Sequence, residues 1–227
     1  MPSYYPPLTQ INKEETRRYA GLRENATFPE EMLEQACAEA LLLVKPRGCW
    51  QQYRYEASTG SILAPTPLRL VGDTILKHLA GAAEIAVIAV SIGLELEDAV
   101  ASHFKAGDYT AGLLLDAAGT AAVEAAADAV NGLISAQAAR QGLHSLFRYS
   151  PGYGSWDITA QPQVLSLSDG HTIDISVTPS CMLLPRKSMT AVIGLQAANT
   201  QSINTGCLPD GCKNCSQINC LSRKESP

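Results

Sequence analysis

The sequence predicts an α+β fold in which a twisted antiparallel sheet is flanked by helices. Helix-like and strand-like segments do not alternate regularly along the chain, which argues against a doubly wound sheet. The most apolar run, "IAVIAVSIGL" at residues 85–94, is rich in β-branched side chains and is typical of a buried strand. Residues 94–141, by contrast, are helical in character and rich in alanine. These three observations favour helices and strands packed in layers.

Two helices are predicted before the first strand. Residues 11–22, "INKEETRRYAGL", have the character of a short helix. The second helix has a better-defined start, because Thr27 and Glu30 have the spacing of a capping box. Pro29 would then lie in the first turn, where its missing N–H does no harm. Apolar side chains recur at helical spacing from there as far as Val44.

The middle of the chain predicts the centre of the fold. Residues 50–56, "WQQYRYE", alternate as a strand does, and "GDTILKHLAG" at residues 72–81 predicts a short helix that leads into the buried strand at 84–91. Beyond it, Gly107 and Asp108 are expected to separate one helix from a longer, alanine-rich one. Small side chains let a helix lie close to its neighbours, so the few polar residues on this helix are conspicuous.

The last part of the chain predicts two more strands and a separate tail. "HTIDISV" at 171–177 and "TAVIGLQ" at 190–196 alternate as strands do. From about residue 199 the sequence becomes polar and rich in cysteine and asparagine. We therefore expect a main domain over residues 1–198 and a small cysteine-rich C-terminal appendage over residues 199–227.

Composition limits the classes of function. The chain has 227 residues, of which 46% are hydrophobic, and a formal net charge of -5. This mild acidity argues against nucleic acid or an anionic membrane as the main partner. The N-terminus, "MPSYYPPLTQINKEE", lacks the pattern of a signal peptide, which predicts a cytoplasmic location. Fingerprints of α/β-hydrolases, P-loop NTPases and Rossmann folds are also missing from the sequence.

The loop "RYSPGYGSW" at residues 148–156 combines a cation, a bend and flat rings. Pro151 stops the preceding helix, and Gly152 allows both positive φ and the close approach of another molecule to the main chain. Arg148 supplies a planar, permanently charged fork that matches a carboxylate or phosphate. These features predict a loop that receives an anionic, partly flat ligand. The alternative is a surface turn whose arginine pairs with a neighbouring acid.

The alanine-rich helix carries a line of polar side chains. Asp116, Thr120 and Glu124 follow one another at intervals of four residues and so share one face. If that face is buried, its carboxylates need a cationic partner. The alternative, which the pattern alone favours, is a solvated stripe that continues to Asp128. The segment "LLPRKS" at 183–188 offers two cations and a hydroxyl, either as a basic connection between strands or as a site for a carboxylate or phosphate.

Cysteines give the strongest local signal. Cys207, Cys212, Cys215 and Cys220 follow the pattern C-x4-C-x2-C-x4-C. Four thiolates at such spacing can bind zinc tetrahedrally or hold an iron–sulfur cluster, and spacing does not choose between them. The alternative is a reduced tail without metal. The other three cysteines, Cys37, Cys49 and Cys181, are expected to be core or strand residues.

These segments, taken in order, resemble the activation (reactivation) domain of cobalamin-dependent methionine synthase, in its stand-alone form. The resemblance rests on "SIG" at 91–93 and on four longer segments: "RRYAGL" at 17–22, "FKAGDYTAGLLLDAAGTAAVEAAAD" at 104–128, "RYSPGYGSW" at 148–156 and "LLPRKSMTAVIG" at 183–194. It covers most of the first 194 residues.

The resemblance implies that the protein binds S-adenosylmethionine. It further implies reductive methylation of cob(II)alamin on a separate cobalamin-binding protein, with a flavodoxin-like or ferredoxin-like electron donor. Matching the motif by position, Arg148, Gly152 and Tyr153 would bind the ligand, Ser150 would contact it through the loop backbone, and Glu124 would face its cationic end. Tyr153 would also approach the reactive face of the cobalamin, which gives it a catalytic role.

Two alternatives stay open at the level of sequence. The client could be methionine synthase or a corrinoid protein of another methyl-transfer pathway. The chain could instead be an iron–sulfur or zinc module for electron transfer or binding, in which the cysteine cluster does the work. The chain also departs from the family, because the cysteine-rich appendage stands where other members have an extension with a ligand-contacting tyrosine.

Overall fold

A computed structural model of the protein describes residues 3–22 and 28–197. Within these ranges the strands are β1 (Arg47–Glu56), β2 (Ser61–Leu63), β3 (Leu68–Arg69), β4 (Glu84–Ser91), β5 (Leu143–Ser145), β6 (Ser176–Val177), β7 (Leu183–Leu184) and β8 (Ser188–Ala197). The main sheet has the order β3-β2-β1-β4-β8-β5 and is antiparallel throughout, and β6 pairs with β7 in a small ribbon. The predicted α+β class is confirmed.

Helices lie around this sheet. They are α1 (Lys13–Tyr19), α2 (Glu30–Leu43), α3 (Asp73–His78), α4 (Glu95–Ala106), α5 (Tyr109–Arg140) and α6 (Gln161–Leu167), with short 3₁₀ turns at Ile158–Ala160 and Gly170–Ile173. The predicted break between the two long helices is confirmed, because α4 ends at Ala106 and the Asp108 carboxylate accepts the Ala111 N–H to cap α5. In the part of the chain that is described, none of the helices combines the length and the apolar character needed to cross a membrane.

The sheet is buried on both faces at β4. One face packs Ile88 and Val90 against the alanine-rich side of α5. The other face packs Ile85 and Val87 against a cluster that includes Trp156. A strand covered on both faces needs apolar side chains at consecutive positions, which explains the uninterrupted apolar run in the sequence.

Helix α5 lies on the sheet through small side chains. Ala118, Ala122 and Ala126 are at most 1% exposed and belong to the same cluster as the buried side chains of β4. At Gly119, a Cβ atom would come within 2.6 Å of Leu96 Cδ2 on α4, and Leu96 is itself fully buried. The glycine therefore sets how closely α4 and α5 approach.

Two predictions of local structure need correction. The predicted strand at 171–177 begins in a 3₁₀ turn at Gly170–Ile173, and only Ser176–Val177 pairs as a strand. Asp169 and Asp174, at either end of the turn, adopt positive φ values of 59° and 63°, a conformation that Asp tolerates better than most residues. Pro29 is the extended N-cap of α2 rather than part of its first turn. Thr27, and with it the predicted capping box, lies outside the described residues.

Replacing Gly119 with alanine should destabilise the fold, although alanine is the better helix former. The new methyl group would overlap the buried Leu96, and overpacking of this kind costs about 1–3 kcal/mol. Gly132 on the same helix is the matched control, because a Cβ there meets nothing within 4 Å. Gly132→Ala should instead stabilise the protein by up to about 1 kcal/mol. Urea unfolding of both variants measures the difference; equal effects would contradict the packing argument.

Candidate functional site

The loop at 148–156 is tied to the sheet at its start. Tyr149 pairs with Val192 of β8 through two backbone hydrogen bonds, of 2.9 and 2.8 Å. Its hydroxyl donates to Thr74 Oγ1 at 2.9 Å. One residue before the loop, the Phe147 carbonyl accepts a hydrogen bond of 2.7 Å from His78 Nε2, in the tautomer that donates. The loop is therefore an extension of the sheet edge.

The bend itself depends on glycine, as the sequence predicts. Gly152 has a φ of 89°, and its N–H donates to the Trp156 carbonyl at 2.8 Å, which closes the turn. Gly154 has a φ of 54°, and a Cβ there would come within 2.4 Å of the Tyr149 hydroxyl oxygen. Trp156, only 2% exposed, anchors the far end of the loop in the core. Both ends of the turn are thus fixed.

A cavity of about 320 Å³ opens beside this loop. Its walls are the loop, one flank of α5, the start of α6 and the segment from residue 181 to the start of β8. Among the predicted ligand-binding residues, Glu124, Ser150 and Tyr153 line it, whereas Gly152 and Arg148 are not part of its lining. Tyr153, 65% exposed, lies at the rim.

The polar face of α5 is paired with cations instead of being fully solvated. Lys187 Nζ is 2.9 Å from Asp116 Oδ2 and donates to Thr120 Oγ1 at 2.8 Å. Arg148 donates through Nη2 to Glu124 Oε2 at 2.6 Å and through Nη1 to Asp128. The stripe is thus partly solvated and also ion-paired, because its carboxylates at Asp116, Glu124 and Asp128 are 38%, 34% and 72% exposed. The cations come from two segments far away in sequence.

Arg148 is committed to these two acids. Its side chain is only 13% exposed, while Glu124 is 34% and Asp128 is 72% exposed. Burial lowers the pKa of Arg148, but the Asp128 and Glu124 carboxylates outweigh that effect and raise the pKa, so the guanidinium stays charged. Arg148 thus pairs with neighbouring acids, which is the arrangement expected from the alternative interpretation of the loop as a surface turn. A direct contact between Arg148 and a ligand stays a prediction.

Some residues at the cavity were not among the predicted site residues. Gln161 Nε2 donates to Thr190 Oγ1 at 2.6 Å, and both side chains are almost fully buried in the cavity wall. The expectation that Cys181 is a core or strand residue is wrong, because it lines the cavity from a turn with a φ of 63°. That turn is closed by the hydrogen bond from the Cys181 N–H to the Thr178 carbonyl.

The other cysteines divide into two groups. Cys37 and Cys49 are buried, as predicted, and burial raises the pKa of Cys49 to about 11. The predicted metal ligands Cys207, Cys212, Cys215 and Cys220 lie outside the described residues. In residues 3–22 and 28–197 no group of three or more His, Cys, Asp or Glu side chains is placed to hold a metal ion.

A second, larger groove of about 570 Å³ lies elsewhere, between the N-terminal segment and the end of α2. Its two cations are already paired, Lys45 with Glu95 and Arg47 with Asp174. It contains none of the predicted site residues. The cavity beside the loop is therefore the better candidate despite its smaller volume.

Comparison with known proteins identifies the architecture. No protein-family model matches the chain. The curated proteins likewise contain no match. A crystal structure of the MetH reactivation domain bound to AdoHcy matches with a TM-score of 0.63 and 13% sequence identity, over 94% of this chain and 84% of that one. The chain has the reactivation-domain fold. At 13% identity the likeness establishes the fold alone. It therefore confirms the fold that the sequence resemblance predicted.

The hydrogen bond from His78 predicts a pH dependence of stability. Burial lowers the pKa of His78 from its ordinary value of 6.5, against the opposing effect of the Phe147 carbonyl. A lowered pKa in the folded state means that the unfolded chain binds the proton more tightly. The contribution of His78 to stability is therefore complete above pH 6.5 and is lost as the pH falls below it.

His78→Gln keeps a donor for the Phe147 carbonyl but does not titrate. We expect the variant to lose less stability than the wild type when urea unfolding is compared at neutral pH and about 1.5 pH units lower. An identical loss in both proteins would show that His78 does not carry the effect.

Proposed function

We propose that the cavity beside the loop binds S-adenosylmethionine, and that the protein supports reductive methylation of cob(II)alamin on a separate corrinoid protein, in the first place a cobalamin-dependent methionine synthase. The observation that carries this proposal is the reactivation-domain fold, shared with a domain whose crystal structure contains AdoHcy. The sequence motifs support it independently, because three of the five residues that they single out, Glu124, Ser150 and Tyr153, line one cavity.

The dimensions and charge of the cavity suit such a ligand. A volume of about 320 Å³ is within the range of small-molecule sites. S-Adenosylmethionine carries an ammonium, a sulfonium and a carboxylate. Glu124 lines the cavity and can attract the cationic groups, while Ser150, beside the turn at Gly152, would offer main-chain atoms to the rest of the ligand. The protein's task is thus to position the ligand.

We propose that Arg148 contributes by holding Glu124 in place. Its contact with Glu124 fixes that carboxylate at the edge of the cavity, and its contact with Asp128 completes its own coordination. The direct contact with the ligand carboxylate, which the resemblance implies for Arg148, would have to replace the contact with Asp128. Both roles make Arg148 necessary for binding.

The proposed reaction needs a partner and an electron donor. S-Adenosylmethionine would supply a methyl group, the partner's cob(II)alamin would accept it together with one electron from a flavodoxin-like or ferredoxin-like protein, and S-adenosylhomocysteine would leave. Tyr153 is exposed at the rim of the cavity, where a docked corrinoid would meet it, and we propose a catalytic role for it there. Alignment of the methyl group with cobalt is the main contribution expected from the protein. We further propose that the protein works in the cytoplasm.

Replacing Arg148 with alanine should weaken S-adenosylmethionine binding by at least ~1.5 kcal/mol, the value of a charge-assisted hydrogen bond. The variant would leave Glu124 without its cation and free to turn away from the cavity. Calorimetric titration measures the affinity. Arg69→Ala, an exposed arginine on β3 away from the cavity, is the control and should bind as the wild type does. An unchanged affinity of the Arg148 variant would count heavily against the proposal that this cavity binds S-adenosylmethionine.

A second candidate function rests on the cysteine spacing in the appendage. We propose that Cys207, Cys212, Cys215 and Cys220 bind zinc or an iron–sulfur cluster, and a cluster could pass on the electron that the reaction requires. An electron-transfer or binding module would then be the alternative function. A corrinoid protein of another methyl-transfer pathway is the alternative client, and purification of the native partner would identify it.

Replacing Cys212 and Cys215 together with serine should remove the bound metal. Elemental analysis of anaerobically purified protein measures it, and visible absorption that bleaches on reduction would identify an iron–sulfur cluster. Cys181→Ser is the control and should keep the metal content of the wild type. Wild-type protein without zinc or iron would refute the metal site while leaving the ligand-binding proposal intact.

A further inference from the structure

Charge is distributed unevenly around the cavity. Three charged side chains line it among the described residues: Glu124, Arg186 and Lys187. Glu124 lies on α5, whereas the two cations lie on the segment between β7 and β8. A ligand with a cationic and an anionic group would therefore meet a carboxylate on one wall, whose Oε2 is paired with Arg148, and two cations on the other.

Two of the cations near the cavity are already neutralised. Lys187 is only 13% exposed, and its ammonium group contacts Asp116 at 2.9 Å and Thr120 at 2.8 Å. Arg148, which is not part of the lining, contacts both Glu124 and Asp128. A ligand carboxylate would have to displace a protein carboxylate to reach either residue.

The ion pair of Arg186 is longer. Its side chain is 66% exposed, and it pairs with the carboxylate of Glu97 at 3.7 Å from its Nε, which is within ion-pair range but beyond hydrogen-bond reach. Glu97 is itself engaged, because its Oε1 accepts the main-chain N–H of Lys187 at 2.8 Å. That hydrogen bond fixes the backbone next to Arg186 and leaves the guanidinium group beside the cavity.

We propose that Arg186 binds the carboxylate of the ligand's amino-acid group, opposite Glu124, and so determines the preference for ligands that carry this group. The inference rests on the proposed function and assigns the anionic end of the ligand to a residue other than Arg148. A guanidinium group matches a carboxylate with two parallel hydrogen bonds, and no existing ion pair of hydrogen-bonding distance needs to break first.

The test compares two ligands of the full-length protein. S-Adenosylhomocysteine carries the amino-acid group, and 5′-methylthioadenosine shares the nucleoside but lacks it. We expect Arg186→Ala to weaken S-adenosylhomocysteine binding about tenfold or more, while 5′-methylthioadenosine binding changes less than about twofold. Arg186→Lys keeps the charge without the planar guanidinium group, so its affinity for S-adenosylhomocysteine should lie between those of the wild type and Arg186→Ala. Arg69→Ala is the control for loss of an exposed arginine.

The outcomes separate this inference from the proposed function. If the wild type binds both ligands and Arg186→Ala leaves their ratio unchanged, the role of Arg186 is refuted and the proposed function stands. Asp128→Asn removes one of the two charges that pair with Arg148 and so makes Arg148 more available to a ligand. If this variant binds S-adenosylhomocysteine more tightly than the wild type does, Arg148 binds the ligand carboxylate and the inference is wrong. If the wild type binds neither ligand, the proposed function fails and the inference fails with it.

Discussion

The close contact between α5 and the sheet is the constraint on which the rest of the structure depends. It is possible only because the buried side of α5 consists largely of alanine, so that the helix backbone can approach β4 and β8. Close contact is also required further along α5, at Val130. A Cβ at Gly48 of β1 would come within 2.6 Å of the Val130 side chain, so the strand needs a glycine there. A helix held this closely has little freedom to rotate, so its flank with Glu124 has one orientation relative to the loop.

Because α5 has one orientation, the ion pairs on its flank can position the neighbouring segments. Partly buried ion pairs add little net stability, because the loss of hydration offsets much of the attraction. Their value here is geometric: Arg148 joins the loop to α5, and Lys187 joins the segment before β8 to the same helix flank. The cavity lies between these two ion pairs. Its shape therefore depends on α5 as a common support for both walls.

The sequence predicted the parts of the fold that local pattern controls. The apolar run of β4, the break before α5 and the glycine turn of the loop all follow from composition and spacing, and all are present. Pairing over distance was not predictable in the same way. Gln161 meets Thr190 across 29 residues, and nothing in either neighbourhood indicates the other. The turn at 170–173 was missed because alternating isoleucines suggest a strand, whereas the two aspartates in left-handed conformation bend the chain.

The backbone pairing of Tyr149 with Val192 has a consequence for how a guest binds. Leu146 also donates its N–H to the Gly194 carbonyl, so the chain leading into the loop follows β8 from one hydrogen bond to the next. With Trp156 buried at the other end, both ends of the loop are attached to the body of the protein. Because both ends of the loop are already anchored, little main-chain order remains to be imposed on this wall when a guest binds.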